Sequence, residues 1–175
     1  MSHNWNALDK PSLRFRRANG SWQPLTRETY DRGGATLLLI NRERRTVLLT
    51  RQACYSAFIH GATELLIAAC ASLLDTREAA IKREVEDELG VRVSRVSKVL
   101  ETHMGSSGTT GQQYFFVAHY TSDRSLASDV VDSAGEDIEV VELPFDQSLA
   151  MIDRGEIIDG RTILLLLYVQ WKQLL

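Results

Sequence analysis

Apolar runs at 35–40 and 46–50 enclose the polar stretch Asn41-Arg42-Glu43-Arg44-Arg45, which predicts two strands joined by a charged hairpin loop. A third run over 64–70 predicts another strand, leading through Ala71-Ser72 toward a helix. The period then changes, because Ile81, Val85 and Leu89 recur at i, i+4 and i+8, the stripe of an amphipathic helix. Asp75-Thr76-Arg77-Glu78 reads as a capping box with Asp75 as N-cap, and Gly90 suits a left-handed C-terminal position. Two more strands are predicted at 93–102 and 112–120, joined by a flexible Gly/Ser-rich loop over 105–111. Residues 129–135 read as a polar loop, and the alternation from Ile138 to Leu143 as a strand. Helices are predicted at 145–154 and 161–175, with Leu149, Ile152, Leu164, Leu165 and Tyr168 turned to the core. At the front, residues 1–12 form a loose lead. Leu13-Arg14-Phe15-Arg16-Arg17 and Trp22-Gln23-Pro24-Leu25-Thr26 flank Asn19-Gly20, a hairpin signal. Strands interleaved with helices predict an α/β protein.

Composition narrows the partners. A chain of 175 residues is long enough for one domain plus a small appendage. A net charge of −3 gives no electrostatic footprint for a nucleic-acid polymer or an anionic membrane. The most apolar run, over 163–169, is far too short to span a bilayer. The polar N-terminus lacks a signal-peptide core, and Cys54 and Cys70 have no metal-ligand spacing, so both read as reduced thiols in a cytoplasm.

The candidate chemistry lies in Arg83-Glu84-Val85-Glu86-Asp87-Glu88-Leu89-Gly90-Val91. An acidic run is commonly a solvated helix face. Here Glu84, Asp87 and Glu88 stand at i, i+3 and i+4, so three carboxylates share one face of the predicted helix. Like charges stacked this way repel by about 0.2–0.5 kcal/mol per pair. A divalent cation reverses that sign, and converging hard oxygens suit Mg²⁺ or Mn²⁺. Arg83 is within reach of Glu84 or Asp87 for a charge-assisted hydrogen bond.

These residues resemble the second half of the Nudix box, Arg-Glu-hydrophobic-x-Glu-Glu-x-Gly-hydrophobic, with Asp87 in place of one glutamate. From Tyr30 to about Tyr168 the chain is similar to the sugar-nucleotide pyrophosphatases of that family. The resemblance rests on Tyr30-Asp31-Arg32-Gly33, Arg51-Gln52, Cys70-Ala71-Ser72-Leu73-Leu74-Asp75, Gly135-Glu136-Asp137-Ile138-Glu139-Val140, Glu142-Leu143-Pro144-Phe145 and Gly155-Glu156-Ile157-x-Asp159-Gly160. It implies the Nudix fold, a mixed β-sheet sandwiched between helices, here with a short N-terminal β-hairpin. The division implied is an N-terminal β segment over 1–31, which serves dimerisation, and a hydrolase domain over 32–175.

The same resemblance implies Glu84, Asp87 and Glu88 as metal ligands for Mg²⁺ or Mn²⁺. Glu84 and Glu136 are implied as alternative general bases, Glu136 also as a further ligand, and Arg83 as their catalytic neighbour. Arg32 and Arg51 are implied as substrate contacts; without the resemblance Arg51 is an ordinary surface cation. Four positions depart from the pattern: Ala68 and Gly111 stand where it has glutamates, Ser72 where it has the box glycine, and Cys54 where it has an arginine. The implied activity is Mg²⁺-dependent hydrolysis of a nucleoside diphosphate sugar, GDP-mannose first and ADP-ribose or an ADP-sugar second, by a cytoplasmic homodimer. A second reading is a protein that keeps the fold and binds a nucleotide or a partner with little hydrolysis.

Overall fold

The computed structural model describes residues 8–30, 33–61, 65–73, 78–89, 91–105, 111–121, 129–133 and 136–175. In chain order it contains β1 (Leu8–Asp9), β2 (Ser12–Arg16), β3 (Trp22–Thr26), β4 (Thr29–Tyr30), β5 (Gly34–Asn41) and β6 (Thr46–Gln52). There follow α1 (Tyr55–Phe58), β7 (Leu66–Leu73), α2 (Glu78–Leu89), β8 (Arg92–His103) and β9 (Gln112–Thr121). The chain closes with β10 (Asp129–Ser133), β11 (Glu136–Pro144), α3 (Phe145–Asp153) and α4 (Gly160–Trp171).

The main sheet has seven strands in the order β10-β11-β6-β7-β5-β9-β8. Its pairings are antiparallel except β5 with β9, so the sheet is mixed. One edge of β6 runs along β11, and the other is shared. Thr46, Val47 and Leu48 pair with β5, whereas Leu49 through Gln52 pair with β7. The sheet therefore forks where β5 and β6 splay and β7 enters between them.

Alternation along the buried strands explains the layers. Leu37 and Leu39 of β5 join Phe116, Ala118 and Tyr120 of β9 in a core with Ile81 and Val85 of α2. Leu38 and Ile40 point to the other face, where Phe115 and Val117 meet Phe145 and Met151 of α3 and Leu165, Leu166 and Val169 of α4. A strand covered on both faces must be apolar at successive positions, which is why 35–40 reads as an unbroken run. The expected sandwich of a sheet between helices is what forms.

Several local expectations change. Residues 129–133 form an edge strand rather than a loop, because Asp129 through Ser133 pair in antiparallel register with Val140 back to Glu136. β7 continues through Ala71 and Ser72 to Leu73. The described part of the helix runs from Glu78 to Leu89, and its expected caps, Asp75 and Gly90, lie outside the described residues. The Glu78 carboxylate takes the Lys82 ammonium at 2.9 Å and the Val96 N–H at 3.4 Å. The front hairpin turns through five residues, with Gly20 at φ +85° and Arg16 opposite Trp22. Of the helix residues expected in the core, Leu165 of α4 is buried, but Leu149 and Ile152 of α3 and Leu164 of α4 are only partly buried. Tyr168 is half-buried and meets the exposed Trp171 edge-on at 6.0 Å.

β2–β3 and β1–β4 form separate two-stranded ladders; among the described residues neither joins the main sheet. No helix among the described residues is long and apolar enough to cross a membrane. The Glu142 side chain of β11, 5% exposed, accepts hydrogen bonds from Tyr120 Oη at 2.8 Å and Thr46 Oγ1 at 2.9 Å. Burial pushes the Tyr120 phenol well above its ordinary value, so it stays protonated and able to donate. A buried carboxylate is tolerated when partnered this way, and these bonds tie β6, β9 and β11 together.

Candidate functional site

The buried side of α2 fixes which way its remaining positions face. Ile81 and Val85 are fully buried and Leu89 packs beside them, so the stripe expected from the sequence is the seam against the sheet. One flank of that stripe is fastened to β8. Lys82 Nζ donates to the Ser94 carbonyl at 3.0 Å, and Glu86 Oε1 accepts the Val93 N–H at 3.5 Å. The Lys82 hydrogen bond, then the Val96 N–H, holds the Glu78 carboxyl below its ordinary value. At about 3.6 residues per turn, positions 84, 87 and 88 fall on the flank away from β8. α2 also packs against β10, the strand at the opposite margin of the sheet.

β10 pairs with β11, and Glu136 is the first residue of β11, opposite Ser133. Glu136 is thus a strand residue rather than a loop acid. The side chains of Glu84, Asp87, Glu88 and Glu136 lie outside the described residues, and so does all of Arg32. Arg83 is exposed on α2. Carboxylate-bearing positions one turn apart on a helix are of the hard-oxygen type that would suit a divalent cation.

Arg51 is the one implied substrate contact whose side chain is described. It stands next to the end of β6, opposite Glu139 of β11, and its Nη1 donates to Glu139 Oε2 at 2.9 Å. The two side chains are 38% and 26% exposed, so the pair contributes on the order of 0–1 kcal/mol to stability. Its consequence is orientation, since Glu139 sets the direction of a guanidinium that remains accessible. Glu139 was not singled out from the sequence. The signal for it is the strand period: Glu139 and Arg51 meet on one face only once the β6–β11 register is known.

Two of the four departures from the family pattern, Ala68 and Ser72, have local explanations. Ala68 is 7% exposed, opposite Thr50, whose hydroxyl donates to the Ala68 carbonyl at 3.3 Å; a small apolar side chain suits that packing. Ser72 sits within β7 and does not have a positive φ, so its backbone does not require a glycine there. Cys54 is half-buried at the N-cap of α1, a short helix not expected from the sequence. Gly111 is half-buried just before β9. Gly33 has a steric role: an added Cβ would stand 3.1 Å from the Gln112 carbonyl oxygen.

Comparison with known proteins bears on the same stretch. Residues 1–30 match the model described as the GDP-mannose pyrophosphatase NudK N-terminal domain. The chain is 44% identical over 174 residues to the GDP-mannose pyrophosphatase of Yersinia pestis strain Pestoides F, covering 97% of this chain and 87% of that protein. It is 42% identical over 180 residues to the GDP-mannose pyrophosphatase of Klebsiella pneumoniae subsp. pneumoniae, covering 100% of this chain and 90% of that one. A crystal structure of an ADP compounds hydrolase superposes with a TM-score of 0.67 at 15% identity, over 97% of this chain and 87% of that chain; it shares the fold.

Proposed function

Because the chain belongs to the GDP-mannose pyrophosphatase branch of the Nudix hydrolases, we propose that it hydrolyses the pyrophosphate of a nucleoside diphosphate sugar. GDP-mannose is the first substrate on this reading, ADP-ribose or another ADP-sugar the second. The observation that carries it is the 44% identity extending over 97% of the chain, acidic helix included. Glu84, Asp87 and Glu88 would hold Mg²⁺ or Mn²⁺, which when bound offsets the negative charge of the pyrophosphate oxygens. Water attacks one phosphorus, the bridging P–O bond breaks, and a nucleoside monophosphate and a sugar phosphate leave. Glu84 or Glu136 takes the proton of the attacking water. Arg83 steadies the neighbouring carboxylates, while Arg32 and Arg51 engage the substrate, Arg51 aimed by Glu139.

The test is nucleoside monophosphate formation from a panel of nucleotide sugars and dinucleotides with Mg²⁺ and with Mn²⁺. Turnover that requires metal is expected, fastest with GDP-mannose. A second reading, binding with little hydrolysis, is favoured by the apolar Ala68 and by Cys54 in place of an arginine. Tight binding of a nucleotide sugar with no monophosphate formed would establish it and sink the first.

The N-terminal β segment over 1–31, set before a hydrolase domain over 32–175, is read as the assembly surface of a cytoplasmic homodimer. All five residues of β2 are exposed, and Leu13, Phe15 and Trp22 present apolar surface. A lone two-stranded hairpin is marginal in water, so a second copy is the natural cover. Sedimentation should give twice the chain mass, and Leu13→Arg with Phe15→Arg should give a monomer that keeps its fold. A wild-type monomer at micromolar concentration would rule this assembly out.

A further inference from the structure

Ala69 is where β7 changes neighbours. Leu49 of β6 pairs with Ala69, but the next residue, Cys70, pairs with Leu37 of β5. Between Cys70 and Leu73, β7 also carries one residue more than β5 does between Leu37 and Ala35, the signature of a bulge. At this changeover the Ala69 N–H donates to Thr162 Oγ1 at 2.7 Å. The acceptor comes from α4, below the sheet, and Thr162 is fully buried.

The direction of every proton in this contact is set. Asp159 is the N-cap of α4, and its Oδ2 accepts the Thr162 N–H at 2.8 Å and the Thr162 hydroxyl at 2.7 Å. A carboxylate only accepts, so the hydroxyl donates to Asp159 and leaves its lone pairs to the Ala69 N–H. Arg161 holds the other carboxylate oxygen, Oδ1, from Nη2 at 3.2 Å and Nε at 3.3 Å. Capping α4 alone needs only the bond to the Thr162 N–H. The hydroxyl relay onto β7 is additional, and it reaches the strand that runs into α2.

We infer that Asp159 and Thr162 are positioning residues for the acidic helix. By anchoring β7 at its change of partner they set where the chain leaves the sheet toward α2, and so where positions 84, 87 and 88 stand. The inference rests on the hydrolase reading for its kinetic consequence and on the fold alone for its structural one.

The experiment compares the full chain with Thr162→Val, which keeps the shape and removes the hydroxyl, and Thr162→Ser, which restores it. With the best substrate of the panel, Thr162→Val should lower kcat about tenfold or more and leave KM within about twofold, because misplacement of catalytic groups acts on the reacting geometry. The Mg²⁺ concentration for half-maximal rate should rise, and Thr162→Ser should recover both. Amide hydrogen exchange should quicken at Ala69 and through α2 in the valine variant only. A Thr162→Val protein with a lowered Tm but unchanged kcat, Mg²⁺ requirement and α2 exchange would overturn the inference, leaving Thr162 a stabiliser alone. Should the wild type show no turnover, the hydrolase reading fails, and α2 exchange decides the positioning role by itself. If Thr162→Val does not fold, Asp159→Asn carries the same comparison, since it keeps an N-cap acceptor and loosens the grip on the hydroxyl.

Discussion

Glu88→Gln is expected to lower metal-dependent turnover at least about a hundredfold, the scale seen when stabilisation of developing charge is lost, here by weakening the grip on the cation that would supply it. The change is nearly isosteric, so the helix and its seam against the sheet should survive. Its effect on stability should have the opposite sign. In the metal-free protein, positions 84, 87 and 88 carry like charges one turn apart, and removing one relieves about 0.2–0.5 kcal/mol per pair. The variant's apo Tm should therefore equal or slightly exceed that of the wild type. Saturating Mg²⁺ should raise the wild-type Tm by linkage and barely move the variant's. Rate assays with and without a chelator, beside thermal melts of both proteins, read all three effects. A variant that loses activity and also melts early would attribute the loss to folding, and one that retains Mg²⁺-dependent turnover would remove Glu88 from the site.

Ile81→Ala should carry the largest stability cost, about 2–5 kcal/mol, from lost transfer energy and the cavity left behind. Ile81 is fully buried, and with Val85 it forms the only fully buried part of the α2 seam among the described residues. Residual activity should fall too, because a helix loosened on its seam no longer holds its acidic positions still. Leu167→Ala on the outer side of α4 is the matched control: Leu167 is 47% exposed, and surface changes of this kind stay within about 0.5 kcal/mol. Denaturant titration of the two variants should give well-separated midpoints with similar slopes. Equal midpoints would mean that α2 contributes little to global stability and is fastened chiefly by its polar contacts with β8.

What could be read from the residues alone follows from local periodicity. The continuous run at 35–40, the stripe at 81, 85 and 89 and the alternation from 138 to 143 each report how one segment is buried, so β5, α2 and β11 were legible within a few positions. That positions 84, 87 and 88 lie on one helix was legible for the same reason, since their spacing is a property of that helix. β10 was missed because an edge strand with Asp129 and Asp132 has a polar composition, and only its register with β11 makes it a strand. The partners of Glu78 were not legible in the same way, because the Val96 N–H it accepts lies in another element.

By itself, then, the sequence determined the order of most strands and helices, which faces are apolar and which acidic positions share a helix, because these depend on near neighbours along the chain. Tertiary structure alone decided the parallel placement of β9 on β5, the fork that admits β7, and the meeting of Arg51 with Glu139 and of Ala69 with Thr162. The last two contacts join residues 88 and 93 positions apart. Contacts of that separation leave no local period, since they form only after the core has packed and the loop-closure entropy has been overcome.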